Sequence, residues 1–563
     1  MPLKSRWQID TPAVSLSSYL FTAPSAPLAD KPLLIDAENP DHHLTFHSYR
    51  AWSQRLAAGL RRTGFQPGDR LLLFAGNTIF FPVVLQGAVM AGGIFTGANP
   101  GFVARELAHQ LRDSGAAVMI VAEESVETAL EAAAAVGLAR ERVFVMGSGA
   151  EMWGGSEERE GVRGLRHWSE LLAGEEEARG FEWEEFTRAE QMERTAVINY
   201  SSGTTGVPKG VEITHGNYVA NCMQTHFMAS LRPDYAAWRA RAVALSFLPM
   251  YHAYGQTVHA VSLPREHVPV YIMRGRFNLA RMLAHVARFR VTALALVPPV
   301  AVALTKLRGA EARAAMADLA SLGGGGGGAA PLSRATARGF EALGGGRFRL
   351  RQGWGMTEIT CSACGWDPNV ESDAGKVGEL NPNVEAMVVD EEGREVAAGE
   401  RGELLVRGPN VMKGYWRRPE ATREALTEHG WLKTGDIAVA HPDGCLSIVD
   451  RKKELIKVKG NQVAPAELEG VLLDHPSIQD AAVVGVTISG QERPRAYVVL
   501  QQGHDVRPLA IADWIALRVA RFKQLTGGVV IVDAVPKNPS GKILRAALRD
   551  RARGEVGDVQ SRL

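Results

Sequence analysis

The 563-residue chain is short of three things, and each shortage excludes something. Four cysteines cannot build a disulfide framework, which fits a reducing compartment. Cys361-x-x-Cys364 has no second pair or histidine cluster beside it and does not read as a zinc site. Neither sign of charge is in excess: 63 basic and 62 acidic side chains leave a formal +1, with no electrostatic footprint for nucleic acid or an anionic membrane. Long apolar runs are missing too, for no stretch reaches the roughly 18 residues of a membrane span. The nearest, Val83 to Phe95, contains Gln86 and three glycines and reads as a buried helix. The first ten residues lack the apolar core of a secretory signal.

What is present is core-forming material, 46% apolar against 22% charged, enough for two to four domains. Short β-branched runs alternate with helical patterns: Arg70–Phe74, Ala117–Val121, Arg142–Met146, Ala196–Tyr200, Val243–Leu248 and Val291–Leu296 as strands, Asn278–Phe289 as an amphipathic helix. The alternation predicts α/β layers with parallel sheet, where ligands gather at strand ends. Glu151–Glu190 is acidic and glycine-containing and reads as a solvated excursion. Gly323–Gly328 is an unbroken glycine run. It is either a low-complexity loop or bare backbone that a flat ligand approaches closely. Beyond Asp450 the texture becomes α+β: helix Pro465–Leu473, strands Ala481–Val486 and Ala496–Gln501, helix Leu509–Lys523, strand Val529–Val532. The expected division is therefore 1–449 and 450–563.

The densest chemical signal is Tyr200-Ser-Ser-Gly-Thr-Thr-Gly-Val-Pro-Lys-Gly210, glycines and hydroxyls at a strand exit, closed by a lysine. Such a loop offers N–H groups and a cation to phosphate. It is not the Walker A loop, because Val207-Pro208 separates Gly206 from Lys209 and Gly210 follows the lysine. This segment resembles the signature of the adenylate-forming superfamily: acyl-CoA synthetases, firefly-type luciferases and adenylation domains. Six more motifs follow in that family's order: Leu248–His252, Gln352–Glu358, Gly414–Trp416, Lys433–Asp436, Asp450–Glu469 and Pro536–Arg545. The chain looks most like 4-coumarate–CoA ligase-like enzymes, chiefly through Asp450–Glu469.

The resemblance implies an α/β fold: a large N-terminal adenylation domain of layered subdomains with a small β-barrel-like part, and a small mobile C-terminal domain. It implies an ATP-dependent acid–CoA ligase. A carboxylate is a poor electrophile, and joining it to AMP supplies a leaving group that a thiol can displace. By resemblance, Ser201, Ser202, Gly203, Thr204, Thr205, Gly206 and Lys209 wrap the phosphates of ATP, and Thr357 touches the α-phosphate. Glu358, with Thr204, holds Mg²⁺. Gln352, Gly353, Trp354, Gly355 and Met356, with Gly328, Ala329, Ala330 and Pro331, line the adenine and acyl sites, Trp354 standing where tyrosine is usual. Asp436 and Arg451 hold the ribose. Lys542 is the first-step cation, between carboxylate and α-phosphate. A hinge at Lys453 then swings the small domain and brings Lys457 and Gln462 to the site for thioester formation.

His252 either gates the acyl pocket or is a hydrogen-bonded structural histidine. The other acyl-pocket positions are Tyr254, Val258, Gly328, Gly353, Cys361 and Ser362, which fit an aryl acid (coumarate-, cinnamate-, phenylacetate- or benzoate-like) or a medium-chain fatty acid. About 20 residues follow Lys542, too few for a fused carrier domain, so a diffusible thiol is expected. A luciferase-like oxygenase would share the first half-reaction. A catalytically silent AMP-binding module would be expected to lack some of Glu358, Asp436, Arg451 and Lys542, and all four are present. Ser561-Arg562-Leu563 is close to the Ser-Lys-Leu peroxisomal address and suggests a peroxisomal import receptor as partner, with a cytoplasmic location otherwise.

Overall fold

The computed structural model describes residues 2–147, 162–201, 208–328, 332, 334–345, 349–458, 461–488, 491–538 and 541–560. Among these, three large sheets and a two-stranded one (Cys364–Gly365 with Glu379–Leu380) build the large domain. The first runs from Gly414–Tyr415 through strands β2 and β1 (Lys209–Thr214 and Thr195–Ser201) to Ile94–Ala98, Arg70–Phe74, Val118–Ala122, Val143–Met146 and Arg166–His167. Its pairings from β1 onward are parallel, while β1 and β2 are an antiparallel pair that puts Ser201 opposite Lys209. Central strands such as Val118–Ala122 are buried along their length, which is why they read as unbroken apolar runs.

The second sheet carries helix α1 (Pro298–Lys306) between its strands Ala293–Leu296 and β3 (Gly324–Gly327), and β3 pairs in parallel with Ala293–Leu296 on one side and Leu350–Gln352 on the other. The glycine run is therefore an interior strand, not a loop. Flanking strands supply the ladder, and Leu296 and Leu350 fill the space that side chains at Gly325 and Gly327 would take. The third sheet is antiparallel, from Leu3–Lys4 through Glu385–Val389 and Arg401–Arg407 to β4 (Leu432–Ala440) and β5 (Leu446–Arg451), an open order in which the two edges do not pair.

After β5 comes the small domain. A hairpin of β6 (Ile456–Val458) and β7 (Asn461–Val463) leads to helix α2 (Pro465–Leu473), a sheet of Ile478–Ile488, Gln491–Leu500 and Val529–Ile531, and the terminal helix α3 (Arg545–Gln560). It has its own core, with Ile456, Leu468, Leu472, Ile478, Val483, Ala496, Val498, Ile511 and Ile515 buried together.

Three sequence expectations need correction. The apolar run from Val83 is not one helix: the helix is Phe81–Met90, Gly92 turns at φ +77°, and Phe95 belongs to the strand Ile94–Ala98. All ten residues of that helix are buried, so no polar face marks its end. Helix Leu509–Lys523 is in fact Pro508–Ala516 followed by a separate turn at Arg521–Lys523. Arg518 folds back over Trp514, 3.8 Å from the ring, and its Nη1 donates to the Trp514 carbonyl at 2.8 Å, closing the helix end. The described part of Glu151–Glu190 is solvated along its charged residues but is anchored to the large domain by apolar side chains. Trp168, Leu171 and Trp183 are buried, and Leu171 lies so close to the helix Phe46–Arg62 that a β-carbon at Gly59 would fall 1.6 Å from its carbonyl oxygen. Residues 148–161 of that segment lie outside the described residues.

Candidate active site

The site lies where the three large-domain sheets meet the Lys542 turn of the small domain. From the first sheet, Ser201 Oγ donates to Glu358 Oε1 at 3.0 Å, and Tyr415 OH donates to the same oxygen at 3.1 Å. Lys209 Nζ stands 5.0 Å from the centre of the Tyr415 ring, within cation–π reach. Burial and the adjoining Glu358 push the Tyr415 hydroxyl up, so it remains a donor. The sequence motif Gly414–Trp416 gave Tyr415 no role; its place here is visible only once β2 is paired with Gly414–Tyr415. Ser202, Gly203, Thr204, Thr205 and Gly206 lie outside the described residues, as do Ala329, Ala330 and Pro331.

From the third sheet, β4 and β5 set Asp436 opposite Arg451. Asp436 is 3% exposed. Its Oδ1 meets Arg451 Nε at 2.5 Å, and its Oδ2 accepts the Trp354 indole N–H at 2.9 Å. Burial pushes the carboxyl up and Arg451 opposes it. A carboxylate has about four lone-pair directions, so two remain for further donors. The indole N–H of Trp354 is thus committed to Asp436, which fixes the plane of the ring.

Lys542 comes from the small domain on a turn closed by three hydrogen bonds. Asn538 N–H donates to Lys542 O at 2.9 Å, Lys542 N–H to Asn538 Oδ1 at 2.8 Å, and Gly541 N–H to Asn538 O at 2.8 Å. Burial lowers the Lys542 ammonium, helped by Arg451 and opposed by Asp436, Glu454 and Glu358, so both site carboxylates act on it in this arrangement. His252 feels the same cation. Burial first, then Lys542, lowers it to about 4, and its Nδ1 accepts the Tyr254 N–H at 3.3 Å as the cap of the short helix Ala253–Gly255. Burial and the Lys542 cation thus both favour the neutral imidazole.

On the acyl side, Tyr254 OH donates to Gly326 O at 3.4 Å, and the Tyr254 ring lies 3.7 Å from where a Gly328 β-carbon would be. Val258 is half-buried in the π-helical stretch Gln256–Ser262. Gly353 N–H donates to Gly327 O at 2.7 Å. A β-carbon at Gly355 would fall 1.7 Å from Cys361 O, so the backbone passes where no other residue fits. Burial raises the Cys361 thiol to about 12, an inert apolar group.

Two residues expected to face ligand are turned inward. Gln352 Nε2 donates to Leu332 O and Ala374 O, and its Oε1 accepts the Leu332 N–H. Ser362 Oγ donates to Cys364 O at 3.2 Å and accepts from Asn381 Nδ2 at 3.3 Å. Both are tied into backbone geometry and leave the polarity of the pocket to others. Thr357 and Met356 sit at the start of the turn Thr357–Ile359, the first buried and the second half-buried. Lys457 and Gln462 are cross-strand partners in the β6–β7 hairpin, exposed and away from this cluster; Gln462 Nε2 reaches Glu391 Oε1 at 3.4 Å. Lys453 is exposed in the turn between β5 and β6.

A cluster of two buried carboxylates and three half-buried cations, joined by hydroxyl donors and an indole, is suited to hold a polyanion and a sugar. Residues 22–416 match the AMP-binding enzyme family, and residues 467–542 match the AMP-binding enzyme C-terminal domain. A phenylacetyl-CoA ligase of Aspergillus niger (epaB) is 35% identical, over 96% of this chain and 98% of its own length. A 4-coumarate–CoA ligase-like protein of Oryza sativa subsp. japonica is 36% identical, over 93% of this chain and 90% of its own. Among solved structures, ATP-bound MatB from Rhodopseudomonas palustris is 26% identical with a TM-score of 0.80, covering 96% of this chain and 99% of that one. The apo form of the same protein gives a TM-score of 0.69 over equal shares. With both segments matched in order and relatives aligned nearly end to end, the chain belongs to the AMP-binding enzyme family, as an acyl-CoA synthetase of the adenylate-forming superfamily.

Proposed function

We propose that the protein activates a carboxylic acid with ATP, releasing pyrophosphate, and then passes the acyl group from the adenylate to coenzyme A, releasing AMP. The convergence of Lys542 with Glu358, Asp436 and Arg451 is the observation that carries this reading. In the first step the carboxylate attacks the α-phosphorus, negative charge on negative charge, and a desolvated ammonium between them lowers that barrier. Ser201 and Lys209 meet the β- and γ-phosphates at the mouth of segment 202–207, and Thr357 meets the α-phosphate. Asp436 offers its remaining lone pairs to the two ribose hydroxyls, with Trp354 held flat against the base.

Glu358 also fits a divalent cation: it is 6% exposed and, among the described residues, Oε1 accepts two neutral hydroxyls and no charged donor, leaving acceptor capacity for a hard ion such as Mg²⁺. Bound there, the ion would neutralise phosphate charge. The domain boundary is taken near Asp450 and the hinge at Lys453, with Lys457 and Gln462 serving the thioester step after the swing. Tyr254 over the side-chain-free strand β3 supports a flat aryl acid, with a medium-chain fatty acid as the other candidate. Read as a carboxyl terminus, Ser561-Arg562-Leu563, outside the described residues, supports delivery to the peroxisome.

The test is a panel of aryl and medium-chain acids with ATP and Mg²⁺, with and without coenzyme A, scored for pyrophosphate and thioester. The reading predicts acid-dependent pyrophosphate and coenzyme A-dependent thioester. Pyrophosphate with no thioester would point to a different acceptor, and no pyrophosphate with any acid would sink the reading.

A further inference from the structure

The small domain rests on α1 at both ends of that helix. Near its start, Pro299 receives Gly541: a β-carbon there would lie 2.6 Å from Pro299 Cγ, and φ at Gly541 is +84°, so only glycine seats the Lys542 turn in this way. At its end, Lys306 Nζ donates to the carbonyl of Leu473, the last residue of α2, at 2.9 Å. The opposite end of α2 is also held, from β5, on the near side of the proposed hinge at Lys453. Asp450, 5% exposed in β5, accepts the Ala466 N–H on Oδ2 at 2.9 Å. Helix α2 has no cap of its own: Ala464 brings no side-chain acceptor and Pro465 no N–H.

The signs are complementary. A carboxylate sits at the helix end where N–H groups are free, and an ammonium at the end where carbonyls are free, as the backbone dipoles favour. Both charges belong to the part of the chain before residue 453. Any rigid swing of the small domain about Lys453 pulls α2 away from both and lifts Gly541 off Pro299. We propose that Asp450 and Lys306 clamp α2 by its two ends and so hold the arrangement that presents Lys542; they are positioning residues for adenylate formation and not for thioester formation. This rests on the two-step reading above.

The experiment compares wild type, Lys306→Ala and Lys306→Arg in three measurements: acid-dependent pyrophosphate–ATP exchange, thioester formation from supplied acyl-adenylate, and tryptic cleavage at the exposed Lys453 without substrates. In Lys306→Ala, exchange is expected to fall about five- to tenfold, the size of a lost charge-assisted contact. The fall should be in kcat with KM for ATP nearly unchanged, while the thioester rate holds or rises and cleavage speeds up. Lys306→Arg, which still carries a cation to the Leu473 carbonyl, should restore all three. Asp450→Asn keeps an acceptor but loses the charge and should move the same readouts in the same direction by less. Parallel loss of both half-reactions, faster cleavage without selective loss of exchange, or no change in any readout overturns the clamp. Absence of exchange in wild type, with cleavage still governed by residue 306, would instead count against the two-step reading.

Discussion

At the residue scale, burial decides the protonation states. His215, His252 and His259 are lowered by burial to about 3, 4 and 4, from an ordinary value near 6.5. Each is neutral in the fold at pH 6.5 and above. The unfolded chain takes up protons below that value while the fold does not, so these residues contribute stability that is full above pH 6.5 and is lost as pH falls toward 4. Glu469 has the opposite sign: burial raises it to about 6, and the stability it contributes is lost as pH rises through that value. Asp436, Asp450 and Asp474, raised by burial, share the sign of Glu469, while His267, His441 and His475, lowered by burial, add to the histidine side. With the large histidine shifts prevailing, the melting temperature is expected to fall from pH 6.5 to 4.5. A melting temperature that rises over that range would contradict the assignment. Adenylate formation should likewise show no inflection near pH 6.5 that disappears in His252→Ala, because His252 has already lost its proton.

Trp354 gives a second prediction at this scale. Its N–H is the donor that fixes one oxygen of Asp436. Trp354→Phe keeps the ring face and removes the donor. KM for ATP is expected to rise roughly tenfold, the cost of a hydrogen bond to a buried charge, with kcat changed less. An unchanged KM would mean that the Asp436 geometry is set by Arg451 alone.

At the element scale, much could be read from the chain in advance and some could not. The strands Arg70–Phe74 and Val143–Met146 and helix Leu279–Phe289 are legible because burial on two faces or on one face leaves a distinct pattern. The motif residues Glu358, Asp436, Arg451 and Lys542 were legible by spacing within family motifs, and the fold brings them together. Gln352 and Ser362 stand in the same motifs, yet their side chains serve the backbone, a distinction that depends on partners at Leu332, Ala374 and Asn381. Strand β3 was illegible because glycine has no side chain to alternate; only Ala293–Leu296 and Leu350–Gln352 on either side make it a strand. The contacts of Lys306 with Leu473 and of Gly541 with Pro299 join positions more than a hundred residues apart and leave no local trace.

Strand β3 carries the prediction at this scale. A β-carbon at Gly326 would meet nothing closer than Tyr254 OH at 3.8 Å, and φ there is not positive. Gly326→Ala is therefore expected to stabilise the fold by about 0.5–1 kcal/mol through lost freedom of the unfolded chain. It should also raise KM for the bulkiest accepted acids, because the new methyl points at the Tyr254 side of the pocket. A destabilised variant in thermal unfolding would show that the strand needs bare backbone for its own packing.

At the scale of the whole molecule, the account requires one small domain to serve two steps. The present arrangement puts Lys542 among the site carboxylates and leaves Lys457 and Gln462 exposed on the far hairpin. On the proposed reading, the turn at Lys453 absorbs the change. Proline there fixes φ and removes freedom from that turn, so Lys453→Pro is expected to slow thioester formation at least tenfold while sparing pyrophosphate–ATP exchange, and an unchanged thioester rate would rule out a hinge at this residue.

The most direct measurement takes Lys542→Ala and assays the two half-reactions separately. The account predicts that acid-dependent pyrophosphate–ATP exchange falls by about a hundredfold or more, the scale of losing a charge placed for the transition state. Thioester formation from supplied acyl-adenylate should stay within a few-fold of wild type. Equal loss of both half-reactions in a variant that melts like wild type would contradict it.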